Sequence, residues 1–205
     1  MEPLRFLALG DSYTIGEGVA PGGRWPEQLC ALLRAEGIAI ESPQFVAATG
    51  WTTSDLAAAL RARQPEGPFG LVSLQIGVNN QYQGGSAEEF AAEFDVLLER
   101  AIALAGDDPS RVIVLSIPDW GVTPFAEGRD RGAIGREIDA FNAGCLFSTM
   151  RSGPHFVDVT AASREAGGAP GRMLAGDGLH PAAPMYTAWA RLALQPALAA
   201  LATRR

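Results

Sequence analysis

The sequence predicts an α/β protein: a three-layer α/β/α sandwich around a five-stranded parallel sheet, doubly wound in the flavodoxin-like manner. Three observations carry this reading. Short, continuously apolar runs recur along the 205 residues, as expected of strands buried on both faces. Stretches of helical length with one apolar stripe separate them. The strand-then-helix alternation repeats five times without an internal repeat, linker or low-complexity tract, so residues 1–205 are expected to form one domain.

Each element has its own signal. Leu4–Gly10 (LRFLALG) is an apolar run closed by Gly10-Asp11, a strand and its turn. Trp25–Glu36 places Leu29, Leu32 and Leu33 at helical spacing before Gly37, a helix stop. Gln44–Ala48 reads as a short second strand, and Ser54–Arg63 as an Ala/Leu-rich helix closed by Pro65. Phe69–Gly77 is the third strand. Ser86–Ala105 is the clearest helix, with Phe90, Phe94, Leu97, Leu98, Ala101 and Leu104 on one stripe. Ser86 followed by Glu89 predicts a capping box. Arg111–Ile117 is a β-branched fourth strand, Gly132–Met150 a helix, and His155–Thr160 a fifth strand. Pro181–Gln195 is the last helix, which Pro196 is expected to break or kink.

Composition excludes several chemistries. All 16 basic residues are Arg, so a P-loop lysine, a Schiff base and a lysine general base are ruled out. Two His (His155, His180) and two Cys (Cys30, Cys145) lie far apart, with no zinc-binding spacing; no metal is expected. The thiols fall on apolar helix faces, where they suit a core in a reducing compartment. A net charge of −7 argues against a nucleic-acid partner. Leu4–Leu9 lacks the features of a signal peptide, and no run approaches the ~18 apolar residues of a membrane span. A cytoplasmic protein with no integral membrane segment is expected.

In a doubly wound sheet, ligands sit at the C-terminal edges of the strands. Gly10-Asp11-Ser12-Tyr13-Thr14 follows the first strand, Thr49-Gly50-Trp51 the second, and Gly77-Val78-Asn79-Asn80 the third; Asp177-Gly178-Leu179-His180-Pro181 precedes the last helix. Ser12 becomes a nucleophile only if a base takes its proton. His180 suits that role, and Asp177 three residues earlier suits an orienting carboxylate. Each position also has a plainer reading. Ser12, Gly50 and Asn79 can serve as turn residues, and Asp177 as the N-cap of the last helix. His155 opens a strand and so lies at the opposite edge. Asp158 is a rival orienter.

These four blocks resemble, in order and across nearly the whole chain, those of the SGNH (GDSL) hydrolase superfamily of serine esterases. Their wording is similar to that of its bacterial lysophospholipase-like and acylesterase-like branch. The resemblance implies a catalytic Ser12–His180–Asp177 triad acting on a small-molecule ester through an acyl-Ser12 intermediate. It also implies an oxyanion hole made by the Ser12 and Gly50 N–H groups and the Asn79 amide, and no cofactor. A helix starting after Ser12 would add its dipole. One departure stands out: the third block of the family reads Gly-x-Asn-Asp, and here the last residue is Asn80, which puts the support of that loop in question.

Tyr13, Trp51, Tyr82, Trp120 and Phe125 are candidate substrate-binding residues at the same edge, and Trp25 also falls in or beside a strand-edge loop. Their alternative role is to cap the sheet. Arg129 and Arg131 can attract an anionic group or belong to a solvated turn. A carbohydrate O-deacetylase or acyl thioesterase is the rival within enzymes, and a non-catalytic ligand-binding module of the same fold the rival outside them. Gly16-Glu17-Gly18 fails the dinucleotide fingerprint, because Pro21 stands where a third Gly is required.

Overall fold

The computed structural model describes residues 2–167 and 170–202. Five parallel strands lie in the order β2-β1-β3-β4-β5: β1 (Phe6–Gly10), β2 (Gln44–Ala47), β3 (Leu71–Gln75), β4 (Val112–Leu115) and β5 (His155–Val157). This is the expected flavodoxin-like winding. The three central strands are buried along their whole length, which explains their continuous apolar text. Both edge strands are shorter than the sequence suggests. β5 ends at Val157 because Asp158 and Thr160 turn their polar groups onto Ser116 instead of extending the ladder.

Helices cover both faces. In chain order they are α1 (Ser12–Ile15), α2 (Trp25–Ala35), α3 (Thr53–Arg63), α4 (Val78–Tyr82), α5 (Ala87–Leu104), α6 (Arg131–Ser152), α7 (Thr160–Gly167), α8 (Pro170–Met173) and α9 (Ala183–Ala202). α2 packs on α9, and α5 on α6 and α3. The α5 stripe read from the sequence is the buried face of that helix. Ser86 caps it by accepting the Glu89 N–H, but the Glu89 carboxylate meets the Ser86 hydroxyl and not its N–H. The complete capping box lies instead at Thr52 and Asp55 of α3.

Two expectations about the last helix need correction. Pro196 does not end it: α9 runs on to Ala202. Proline in a helix interior costs about 3 kcal/mol. Here the carbonyl it leaves unpaired belongs to Leu192, on the solvent side, while Ala193, Ala197 and Ala200 are fully packed on either side of it. Asp177 is not the N-cap either. The helix begins at Ala183, and Asp177 sits in a separate turn before it.

The fold positions the site through register. Gly10 pairs with Ala47 on one side and with Gln75 on the other, so β1, β2 and β3 end level. Ser12, Gly50 and Asn79 follow two to four residues beyond that line and converge at the switch point of the sheet.

Candidate active site

β1 turns sharply into α1 at Gly10. A Cβ there would collide with the Thr14 hydroxyl and the Gln75 carbonyl, so only glycine permits the turn. Asp11 is the N-cap and accepts the Tyr13 N–H at 3.0 Å. Its carboxyl is buried, and desolvation pushes it up to about 7. Ser12 is the first residue of α1, where a backbone N–H has no partner within the helix. A helix does start at Ser12, as expected, but it has only four residues, so its dipole is small. What remains at its start is the N–H itself.

Gly50 has φ +82°, a left-handed conformation that glycine adopts without a Cβ penalty. A Cβ there would meet open space. The glycine is therefore required by its backbone angle and not by crowding from the protein itself. Asn79 lies in the first turn of α4, and its Nδ2 donates to the Trp51 carbonyl at 2.8 Å. That bond fixes the amide and uses one of its two hydrogens, leaving the second available.

The turn carrying Asp177 and His180 is held by a short antiparallel bridge between Leu174 and Pro181. Hydrogen bonds from Ala175 N–H to the His180 carbonyl (2.7 Å) and from Phe125 N–H to the Gly178 carbonyl (3.2 Å) reinforce it. Asp177 Oδ1 accepts the N–H groups of Leu179 and His180. Its Oδ2 lies 2.6 Å from His180 Nδ1. Partial burial works against ionisation of Asp177, but the hydrogen bonds from the His180 ring and from these two N–H groups outweigh it and hold the carboxyl below the usual range. The Nδ1 proton is thereby committed to Asp177, and Nε2 is the free ring nitrogen.

Ser12, Gly50, Asn79 and His180 share one cavity of about 190 Å³, lined also by Tyr13, Thr49, Val78, Tyr82, Trp120, Phe125 and Leu179; Asp177 reaches it only through the His180 ring. Four of the five aromatic candidates line it. The fifth, Trp51, contributes its carbonyl to Asn79, and its ring stacks under Arg63. Trp25 is fully buried elsewhere and donates to Gln75. Asp158 accepts from Ser116 and Thr160 and is not beside His180. His155 opens β5 at the opposite edge. Cys30 and Cys145 are buried, and burial pushes the Cys30 thiol up to about 12. Among the described residues no three His, Cys, Asp or Glu side chains converge to hold a metal, and no helix is long and apolar enough to cross a membrane.

Supports that the sequence did not reveal complete the site. Trp120 Nε1 donates to Gln81 Oε1 at 2.7 Å, and Gln81 Nε2 to Glu137 Oε2 at 2.7 Å. The buried Gln81 thus anchors the cavity wall to α6. Asn80 accepts the Thr53 N–H and donates to the Thr53 hydroxyl and to Glu93. The Thr53 hydroxyl also bonds to Glu93. An Asp at position 80 would face the Glu93 carboxylate, so Asn80 suits this pairing.

The model of the GDSL-like lipase/acylhydrolase family matches residues 8–188. The chain belongs to this family. Its match runs from β1 to the middle of α9 and contains all four blocks at the cavity. No curated protein matches the chain in sequence. Among solved structures, this GDSL-family chain is similar to a lipolytic G-D-S-L family protein from Veillonella parvula, at 20% identity and TM-score 0.70, covering 93% of this chain and 96% of that one. It is similar to TesA at 21% identity and TM-score 0.69, with 94% and 97% covered. It is also similar to Axe2, an acetylxylan esterase from Geobacillus stearothermophilus, at 22% identity and TM-score 0.70, with 96% and 94% covered. At these identities the likeness is one of fold.

Proposed function

We propose that the protein is a serine esterase that cleaves small carboxylic esters through an acyl-Ser12 intermediate. The observation that carries this reading is His180, held by Asp177 at 2.6 Å, on the same cavity as Ser12, Gly50 and Asn79. His180 Nε2 takes the Ser12 proton as Oγ attacks the ester carbonyl, and then gives it to the departing alkoxide. Asp177 holds the ring in one tautomer and stabilises the imidazolium. The Ser12 and Gly50 N–H groups and the second Asn79 N–H face the developing oxyanion. Water, deprotonated by His180, then releases the acid and restores Ser12.

The cavity favours a short acyl group. At about 190 Å³ it is smaller than the roughly 300–1,000 Å³ that holds drug-sized ligands. A lysophospholipid-length chain is therefore a poorer fit than acetyl to butyryl. The same observation supports a second reading, O-deacetylation of a carbohydrate, the activity by which Axe2 is described. A p-nitrophenyl ester series from acetate to palmitate, run beside an acetylated xylooligosaccharide, tests both. Activity peaking at four carbons or fewer is expected. A maximum at long chains would overturn the short-acyl reading, and full turnover by S12A would overturn the serine mechanism.

A further inference from the structure

Beside this cavity, on rings that line it, lies a cation that the proposed reaction does not use. The Arg129 guanidinium lies over three rings at once: Tyr82 at 5.0 Å, Trp120 at 5.2 Å and Phe125 at 5.6 Å. All three rings line the cavity. Arg129 Nη2 also donates to the Tyr82 hydroxyl at 3.1 Å. The rings pack on one another at centroid distances of 5.4 to 6.2 Å, so the guanidinium rests on a preformed platform. Among the described residues none of the ion pairs includes Arg129. Among the described residues neither acidic neighbour pairs with it: the Asp130 carboxylate caps α6 through the Ala133 N–H, and Glu127 makes no ion pair with Arg129. Glu17 is bound to the hydroxyl of Thr49, which lines the cavity.

An arginine stacked on aromatic faces keeps its edge N–H groups free for an oxyanion, and its rotamer entropy is already reduced. Only one of its five donors is occupied by Tyr82. This cation is local in a chain of net charge −7, whose overall field repels anions.

The geometry points to Arg129 as a specificity residue that recognises an anionic oxygen group, a carboxylate or phosphate, on the ester substrate, through the guanidinium seated on the cavity-lining rings of Tyr82, Trp120 and Phe125. It rests on the esterase reading and narrows it: the substrate is a short-chain ester of a charged molecule. Stacking alone would make Arg129 a structural lid, indifferent to substrate charge.

The test uses matched substrates that put the charge on either side of the ester. On the alcohol side, 4-acetoxybenzoate is paired with its methyl ester. On the acyl side, p-nitrophenyl hydrogen glutarate is paired with p-nitrophenyl pentanoate. For each pair, the ratio of kcat/KM for the charged over the neutral ester is compared between wild type, R129Q and R129K. Dividing by wild type cancels intrinsic differences in reactivity. On at least one side, R129Q is expected to lower the ratio about fivefold or more, mainly through KM, the scale of a partly exposed charge pair. R129K, which keeps the charge but not the planar stack, is expected to retain more than half of that preference, and high salt to reduce it in wild type. The side that responds identifies which part of the substrate bears the anion. Equal losses on charged and neutral esters, an R129K as impaired as R129Q, or unchanged ratios on both sides would overturn the proposal alone. Absence of Ser12-dependent cleavage of the neutral esters by wild type would overturn the esterase reading, and this inference with it.

Discussion

Ser12, His180 and Asp177 act as a unit if the proposed mechanism holds, so their removal has unequal but characteristic effects. S12A and H180A are each expected to lower kcat by at least about 10³-fold with little change in stability. D177N is expected to lose less than either. Its side chain still accepts backbone N–H groups at the turn, but it no longer stabilises an imidazolium. Steady-state kinetics on p-nitrophenyl acetate beside thermal unfolding of each variant checks all three. N79A removes the side chain proposed as one oxyanion donor, and kcat is expected to fall about 10²- to 10³-fold with KM nearly constant. A KM-only effect would assign Asn79 to ground-state binding. These residues were legible in the sequence because each follows a strand end or opens a turn, positions that one-dimensional text records well. The Asn79–Trp51 bond and the Gln81–Glu137 link were not. They join positions 28 and 56 residues apart, and no local pattern marks either.

The helices and strands place those residues, and their tests concern pairing between elements. Asn80 of α4 meets Thr53 of α3 and Glu93 of α5. N80D would set a second carboxylate against Glu93, and is expected to cost about 1–3 kcal/mol at neutral pH, with recovery in acid and in the N80D/E93Q double variant. Chemical denaturation at pH 5 and 7.5 reads this; an N80D as stable as wild type at both would remove the account of why Asn stands here. α5 was readable to within a residue because its apolar stripe and its cap agree. α4 was missed because it is a five-residue turn at a strand edge, and α7 because its buried face is made of Thr160, Ser163 and Ala166 and not of large apolar residues. The end of α9 was misread because Pro196 is a strong local signal, and the burial of Ala197 and Ala200 against the rest of the molecule outweighs it.

The whole molecule contributes a pH response through Asp11, sealed beneath the site. Folding raises its carboxyl from 3.8 to about 7. Between those values the unfolded chain releases a proton that the folded chain keeps. Stability therefore falls as pH rises across that window, by up to about 4 kcal/mol, and is unaffected by this group below pH 3.8. In D11N, Asn keeps the oxygen that accepts the Tyr13 N–H and loses the titration. The stability difference between wild type and D11N is expected to move in favour of D11N from pH 4 to pH 7 and to be flat above 8. A constant difference would contradict the burial argument. The fold itself was legible because five short apolar strands, three of them fully buried, alternate with helices in one simple pattern. The aromatic platform under Arg129 was not, because its rings come from α4 and from the long loop before α6 and meet only in three dimensions.

The most direct test of the central claim is intact-mass and peptide mapping after reaction with a fluorophosphonate. The mechanism predicts a single adduct on Ser12, formed rapidly by wild type, at least about 10³-fold more slowly by H180A, and not at all by S12A. Labelling at another residue, or at equal rates in wild type and H180A, would contradict it.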